Sequence, residues 1–331
     1  MMEDDLKGIQ NIGFLLIPGF ALMSYASAAE PLRAANVIAA RDLYRVRAFS
    51  PDGASSVTCS SGVPVPTLPL PKANDGPPVS TLPHSLFVCA GGDPADWNYP
   101  LILGPLRQLA RAGVRIGGIS GGPYLLAAAG LLSGCRFTIH WEHAPALKEA
   151  FPDLEPERTR YIIDGNRITC GGGVAPLDMM HSLISQRMGG AFARRVSDWY
   201  LHTHVGASEA PQRASLAERY SVHHPVLLTV IEKMEAALEV PLGRDAMASF
   251  AGISPRHLDR LFTAQLGESF GSVYRRLRLE HAKVLLRQSP LSVSEIAFAT
   301  GFSSSGHFSR SFRQMFGQTP GTARRQVSPS R

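Results

Sequence analysis

The sequence predicts an α/β sandwich with a mostly parallel sheet in the N-terminal half, followed by an all-α domain with two helix-turn-helix units. Three observations predict this arrangement. Short apolar runs alternate with segments of helical periodicity up to residue 205, as in sheets that are covered by helices. A glycine turn followed by a serine-capped helix with a polar, basic face occurs twice after residue 240. The excess of positive charge lies in residues 207–331, which hold 16 Lys and Arg against 10 Asp and Glu, while residues 1–206 hold 17 of each.

The length and composition are those of a globular protein with two domains. A chain of 331 residues can bury two cores, and 18% charged with 44% hydrophobic residues is an ordinary composition. We expect the first domain at residues 1–205, a linker at 206–222 and the second domain at 223–331. No apolar run approaches the length of a membrane span, and the acidic start of the chain lacks the layout of a signal peptide. The four cysteines are far apart, which indicates reduced, buried thiols in a cytoplasmic protein.

The elements of the first domain follow from apolar runs, helical periodicity and the breaks between them. Strands are predicted at 12–17, 44–49, 86–90, 114–119 and 137–139, with a hairpin over 161–170 around Asp164-Gly165-Asn166. Helices are predicted at 22–41, with an interruption near Glu30-Pro31, and at 101–112, 124–132, 176–189 and 191–204. Residues 51–83 are rich in Pro, Gly and Ser, and we expect turns and short edge strands there.

Candidate binding residues follow the predicted strands, because ligands of such folds bind at the carboxyl ends of the strands. Residues 118–122 match the G-x-S-x-G elbow, which presents Ser120 on a sharp strand-to-helix turn. The face of Trp141 would suit a cationic amine, with Glu30 or Glu142 as counter-charge. The candidate ligand-binding residues are Glu30, Ser120, Tyr124, His140, Trp141 and Glu142.

Each of these side chains also has a structural interpretation. Ser120 is either a small residue tolerated in a tight turn, a ligand contact or a nucleophile. His140 and Trp141 could equally be core residues. Asp178 lies early in a helix after a glycine run, where a helix cap or a partner of the helix dipole is expected.

The second domain is predicted from two similar helical units. In the later one, Ser292 and Glu295 have capping-box spacing, Gly301 suits a left-handed turn, and a serine cluster can cap the next helix. In the earlier one, Gly252 marks the turn and Ser254 caps a helix that starts at Pro255. The strong helical periodicity of residues 273–286 predicts a helix that connects the two units. A second helix with a basic face fits the DNA major groove, so the candidate DNA-binding residues are Arg256, His257, Arg260, Ser303, Ser305, His307, Ser309, Arg310 and Arg313.

Residues 223–331 resemble the DNA-binding domain of the AraC/XylS family of bacterial transcriptional regulators. The matching residues are the run that starts at Arg278, the pairs Ile296-Ala297 and Gly301-Phe302, and the runs 308–312 and 316–320. The resemblance implies two helix-turn-helix units that read successive major grooves of a promoter.

Residues 10–205 resemble the PfpI-type, class I glutamine amidotransferase-like domain of GlxA-like regulators, which has a flavodoxin-like sandwich. The matching runs are 30–36, 91–92, 119–132, 138–141 and 171–178. Enzymes of that superfamily carry a cysteine at the elbow, near a histidine and a glutamate. Because this chain has Ser120 there, the resemblance implies a sensing pocket.

We therefore predict a transcriptional regulator that binds promoter DNA and a small-molecule effector, by resemblance an amino acid or a methylated amine. A homodimer is expected, RNA polymerase is considered as a further partner, and neither a cofactor nor a membrane is expected to be involved. Adjacent His223 and His224 point apart on a helix, so no metal site is expected there. Two alternatives stay open. One is a Ser120-dependent amidase or hydrolase fused to a DNA-binding domain, and the other is a first domain retained only for oligomerisation.

Overall fold

A computed structural model describes residues 8–71, 82–97, 100–289 and 291–325. The chain divides into two compact units, Met1–Gln212 and Arg213–Arg331. The strands of the first unit are β1 (Gln10–Leu16), β2 (Tyr44–Ser50), β3 (Ser56–Thr58), β4 (Pro64–Pro66), β5 (Leu68–Pro69), β6 (Ser85–Ala90), β7 (Arg115–Ser120), β8 (Tyr161–Asp164) and β9 (Arg167–Cys170). Its helices are α1 (Leu22–Ala39), α2 (Pro100–Arg111), α3 (Gly122–Ala128), α4 (Ala144–Ala150), α5 (Ala175–Met188) and α6 (Gly190–Trp199).

The predicted α/β sandwich with a mostly parallel sheet is confirmed. Seven strands form one sheet in the order β5-β2-β1-β6-β7-β9-β8. All neighbours in it are parallel except β8 and β9, which form the hairpin predicted around residue 165. Strands β3 and β4 pair separately. The elbow residue Ser120 is the last residue of β7, so it lies at the carboxyl end of a central strand.

The sheet is buried on both faces by helices. Phe14 and Leu16 of β1 pack into a core with α1, α5 and α6, whereas Leu15 belongs to a second core with α2, α3 and α4. Successive side chains of a strand point to opposite faces, so the continuous apolar run of β1 supplies both cores. This is why the run is apolar throughout rather than alternating.

Several predicted boundaries in the first unit are wrong. Helix α1 continues through Pro31, because burial of this residue and of Leu32 offsets the hydrogen bond that proline cannot donate. Residues 137–139 form only an isolated bridge at Thr138, whose backbone N–H donates to the Thr169 hydroxyl instead of to a strand. Helix α3 ends at Ala128, before Gly130 in the left-handed conformation, and α6 ends at Trp199. Helix α4 was not predicted.

The second unit consists of helices in the described residues. They are α7 (Leu216–Tyr220), α8 (Pro225–Ala236), α9 (Arg244–Phe250), α10 (Pro255–Leu266), α11 (Phe270–Gln288), α12 (Val293–Ala299), α13 (Ser305–Phe316) and α14 (Pro320–Arg325). Helix α7 lies within the range predicted as a linker and begins with a capping box formed by Ser215 and Glu218. No helix among the described residues of the chain combines the length and the apolar character needed to cross a membrane.

Helix α11 is shared by the two cores of the second unit. Its first half places Val273 and Tyr274 in a core with α8, α9 and α10. Its second half places Leu285 and Leu286 in a core with α12, α13 and α14. The predicted connecting helix is therefore confirmed, and it joins the two helix-turn-helix units through buried side chains rather than as a free spacer.

Candidate functional sites

The elbow after β7 holds Ser120 in a strained conformation. Ser120 has φ +60°, which is uncommon for a residue with a side chain. A Cβ atom on Gly122 would lie 1.9 Å from the Val88 carbonyl oxygen, and one on Gly121 would lie 2.1 Å from the Trp97 ring. The two glycines are therefore required by close packing on both sides of the turn. The predicted G-x-S-x-G elbow is present.

The hydroxyl of Ser120 has no hydrogen-bond partner among the residues that the structure describes, although Ser120 is only 7% exposed. Its backbone oxygen accepts from the His140 N–H at 3.1 Å. A nucleophilic serine needs a base within hydrogen-bond reach, and no such pair is formed here.

Ser24 of α1 lies beside the elbow and was not singled out in the sequence. Its hydroxyl accepts from the Gly173 N–H at 2.8 Å. An ideal Cβ on Gly172 would lie 3.0 Å from Ser24 Oγ and 2.7 Å from Ser120 Cβ, so both serines face the same point. A serine in an apolar helix carries no motif that could have indicated this proximity.

Residues 140–143 contribute three rings to an aromatic cluster, and their backbone reaches the elbow through the hydrogen bond from His140 to Ser120. The His140 ring centroid lies 5.4 Å from that of Trp141 and 5.6 Å from that of His143. Trp97 continues the cluster, with centroid distances of 4.9 Å to His143 and 5.7 Å to Tyr124. Trp141 is 41% exposed, so it is not a core residue. Tyr124 is half-buried, and its ring also packs against Phe151.

Burial favours the neutral form of His140. Burial lowers its pKa, and the nearby Glu142 carboxylate opposes this effect only in part. Its Nδ1 atom accepts from the Glu142 N–H at 3.3 Å. In a neutral imidazole with Nδ1 accepting, Nε2 carries the proton, so His140 can donate one hydrogen bond to a ligand.

Glu30 lies in another environment, which corrects the prediction that it joins the elbow residues. Its carboxylate pairs with Arg33 at 2.8 Å and accepts from the Tyr200 hydroxyl at 3.3 Å. Six residues separate Glu30 from Ser24, so the two project from different sides of α1 and about 9 Å apart along its axis. Tyr200 also lines a small cleft of about 10 Å³, room for about one water molecule.

Asp178 is the centre of a buried charge network that the sequence did not indicate. It is fully buried, and its Oδ2 atom accepts from Arg160 Nε at 2.8 Å. Its Oδ1 atom contacts His202 Nε2 at 2.7 Å and accepts from the Gly206 N–H at 2.7 Å. Asp178 does lie in the first turn of α5, as predicted. Its charge is used by long-range partners, two of which attach residues 202–206 to α5.

Burial disfavours the thiolate form of two of the four cysteines of the first unit. Cys59, Cys89 and Cys170 are buried, Cys135 is half-buried, and all four are free. Burial raises the pKa of Cys170 to about 12 and raises that of Cys89 as well. Both flank Ile119 in the sheet register, two strand spacings or about 10 Å apart, which is too far for a disulfide.

The two helices with predicted DNA contacts repeat with a spacing of fifty residues. Ser254 and Ser304 cap α10 and α13 through their side chains, and Gly267 and Gly317 end these helices with φ +69° and +72°. The turn from Gly301 to the cap Ser304 is one residue longer than the turn from Gly252 to the cap Ser254. The predicted capping box at Ser292 is confirmed.

Arginines on the two helices are exposed at equivalent positions. Arg260 and Arg310 each lie six residues after their capping serine, and neither has an ion-pair partner among the described residues. By contrast, Arg244 pairs with Asp259 at 3.2 Å. The other predicted contacts differ in exposure. Four are exposed, namely Arg256, Ser303, His307 and Arg313. Three are half-buried, namely His257, Ser305 and Ser309.

Arg278 connects the shared helix α11 to the second turn. Its Nε atom donates to the Thr300 carbonyl at 2.7 Å, and its guanidinium lies 4.2 Å from the centroid of the Phe302 ring. A Cβ on Gly301, which has φ +72°, would lie 2.6 Å from Pro241 Cδ. These contacts fix the orientation of α13 relative to α11.

Comparison with known proteins assigns both halves of the chain. The model of the DJ-1/PfpI family matches residues 11–186, and the model of the helix-turn-helix domain matches residues 247–326. The HTH-type transcriptional regulator GlxA of Rhizobium meliloti is 57% identical over 325 residues, which cover 98% of each chain. The HTH-type transcriptional regulator CdhR of Pseudomonas aeruginosa is 40% identical over 94% of this chain and 90% of its own.

Solved structures support the fold of the first unit. A structure of an AraC family transcriptional regulator from Pseudomonas putida is 24% identical, with a TM-score of 0.51, over 58% of this chain and 99% of its own. A THiJ/PfpI family protein from Pseudomonas syringae is 20% identical, with a TM-score of 0.50, over 74% of this chain and 92% of its own.

Proposed function

Since the chain belongs to the HTH-type transcriptional regulators that join a DJ-1/PfpI domain to a helix-turn-helix domain, and is thus a DNA-binding regulator, we propose that its elbow region binds a small-molecule effector. In this proposal, residues 1–205 sense the effector and residues 223–331 bind promoter DNA. The effector must bind more tightly to one of two arrangements of the protein, because otherwise it could not change DNA binding.

The effector class that fits the elbow is a cationic amine that also carries a carboxylate, such as an amino acid or a methylated amino acid. The exposed face of Trp141 can attract a cationic head, with Glu142 as the adjacent negative charge. Tyr124, whose ring packs against Trp97 at the other end of the aromatic cluster, is proposed as a further contact. The Nε2–H of neutral His140 can donate to the carboxylate. The observation that carries the proposal is the half-exposed Trp141 ring beside His140 at the mouth of the elbow.

Removal of the Trp141 ring is expected to weaken amine binding about thirtyfold, since a desolvated cation–π contact contributes about 2 kcal/mol. Calorimetry with arginine, lysine, dimethylglycine and trimethylglycine on the wild type and Trp141→Ala would measure this. Trp199→Ala, which removes another exposed indole of the first unit, is the matched control and should bind as the wild type does. If none of the four amines bound to the wild type, or if Trp141→Ala bound them with the affinity of the wild type, the proposed effector class would be wrong.

The rival function is a hydrolase built on Ser120. Among the described residues, no base forms a hydrogen bond with the Ser120 hydroxyl, so this function lacks structural support. It requires turnover of ester or amide substrates that disappears in Ser120→Ala. We expect no such turnover and expect Ser120→Ala to retain DNA binding, which a fluorescent ester assay beside a DNA-binding assay would check.

The remaining partners belong to the same proposal. We infer a homodimer, which light scattering on the purified chain would test, and a cytoplasmic location, where bacterial promoter DNA and RNA polymerase are found.

A further inference from the structure

The side chain of Gln212 is inserted into the first unit at the residue after which the second unit begins. Its Nε2 atom donates to the carbonyl oxygens of Ile139 and Thr159 at 2.9 and 2.7 Å and contacts Thr138 Oγ1 at 2.9 Å. Its Oε1 atom accepts from the Trp141 N–H at 2.8 Å. Every polar atom of this amide therefore has a partner, although the partners lie 53 to 74 residues away in sequence.

The backbone just before Gln212 is attached to the same region. The Arg160 N–H donates to the carbonyl oxygens of Ser208 and Ala210, at 3.0 Å each. Thr159 and Pro211 form an antiparallel bridge. Residues 208–212 thus lie along residues 159–160 and are held at their end by the Gln212 side chain.

Two short connections join Gln212 to the elbow. The first is a pair of consecutive amides: the His140 N–H donates to the Ser120 carbonyl, and the Trp141 N–H donates to Gln212. A displacement of the His140–Trp141 backbone by a ligand at the elbow would therefore change the hydrogen bond to Gln212 directly.

The second connection is a pair of consecutive glycines. A Cβ on Gly171 would lie 2.6 Å from Gln212 Cδ, and a Cβ on Gly172 would lie 2.7 Å from Ser120 Cβ. Gly171 therefore contacts the linker side chain, while the next residue contacts the elbow. A shift of the Gly171–Gly172 backbone would therefore change the packing at both places.

We propose that Gln212 is the residue through which occupancy of the elbow controls the attachment of segment 208–212, and with it the start of the DNA-binding unit. This inference rests on the proposed function for the location of the effector site. An effector that moves the Trp141 backbone changes the fraction of molecules in which the Gln212 side chain keeps these hydrogen bonds, which we call its seated position. The covalent link from Gln212 to Arg213 transmits that change to the second unit.

The attachment can be measured on the full chain by tryptic cleavage of the Arg213–Ala214 bond, one residue beyond Gln212. Cleavage of a transiently opened segment follows the population of the open form. Gln212→Ala is expected to accelerate this cleavage about tenfold, as the loss of one to two net hydrogen bonds should. Glu209→Ala changes an exposed residue of the same segment and should cleave as the wild type does.

Gly171→Ala offers an independent test of the seated position. Its new Cβ should displace the Gln212 amide and accelerate cleavage after Arg213 to a similar extent. The double variant Gly171→Ala, Gln212→Ala should cleave no faster than Gln212→Ala alone, because the shortened side chain leaves room for the new methyl group. Independent, multiplying effects of the two changes would overturn the seated position of Gln212.

Coupling to the elbow is tested without an effector by Trp141→Gly, which loosens the backbone that donates to Gln212. We expect about threefold faster cleavage after Arg213 in the wild-type background and no further increase in Gln212→Ala. Unchanged cleavage in Trp141→Gly, or an equal acceleration in both backgrounds, would overturn the coupling. If no amine of the panel bound, only the proposed effector class would be wrong. Failure of the proposed function and failure of the coupling through Gln212 are therefore distinguishable.

Discussion

Replacing Arg260 and Arg310 by alanine is expected to produce the largest loss of DNA binding. Both guanidinium groups are exposed, lie at equivalent positions of α10 and α13, and have no ion-pair partner among the described residues. A specific base contact contributes about 1–3 kcal/mol, so each single variant should bind the upstream DNA of its own gene roughly 5- to 150-fold more weakly. Since the two sites lie on separate helices with separate cores, the losses should add in free energy in the double variant.

Fluorescence anisotropy with that upstream DNA, over a series of salt concentrations, would measure these losses. Removal of an arginine that contacts phosphate should reduce the salt dependence of binding by about one unit of slope. Removal of an arginine that reads a base should mainly reduce the preference over random DNA. Arg111→Ala removes an equal charge from an exposed position in the first unit and serves as the control. Wild-type affinity in both single variants would contradict the assignment of α10 and α13 as the reading helices.

Asp178→Ala should cause the largest loss of stability in the first unit. The substitution leaves the side chains of Arg160 and His202, only 23% and 18% exposed, without their shared carboxylate. Loss of one partner of a buried charge pair costs about 3–5 kcal/mol. The Gly206 N–H also loses its acceptor, so residues 202–206 should detach from α5 as well.

Urea unfolding followed by the fluorescence of the first-unit tryptophans would measure the change. Asp178→Asn keeps the acceptor for the Gly206 N–H and should lose less stability than Asp178→Ala. Asp198→Ala removes an exposed carboxylate from α6 and is the control. If Asp178→Ala unfolded at the same urea concentration as Asp198→Ala, the network would be structurally unimportant.

Local chemistry explains what could be predicted from the sequence. The caps at Ser254 and Ser292, the left-handed glycines and the elbow at Ser120 depend on residues within a few positions of one another. Their spacing therefore reveals them. The apolar run of β1 likewise reports burial on both faces without knowledge of its neighbours.

Long-range partners explain what could not be predicted. Asp178 meets Arg160 and His202 only after α5, β8 and the end of α6 have packed, and no periodicity marks that meeting. Gln212 lies in a stretch whose composition indicates a loop, although its side chain is fully hydrogen-bonded. Glu30 shows the converse error, because its place in the first helix after the first strand does not reveal which side of α1 its side chain faces.

Because α11 lies in both cores of the second unit, the distance between α10 and α13 is set by the folded chain and not by the DNA. One base pair inserted between the two contact regions of an operator would rotate one of them by roughly 35° about the duplex axis. The protein could not follow that rotation without breaking a core. Natural operators of this regulator should therefore vary in base identity but keep one length between their contacted positions.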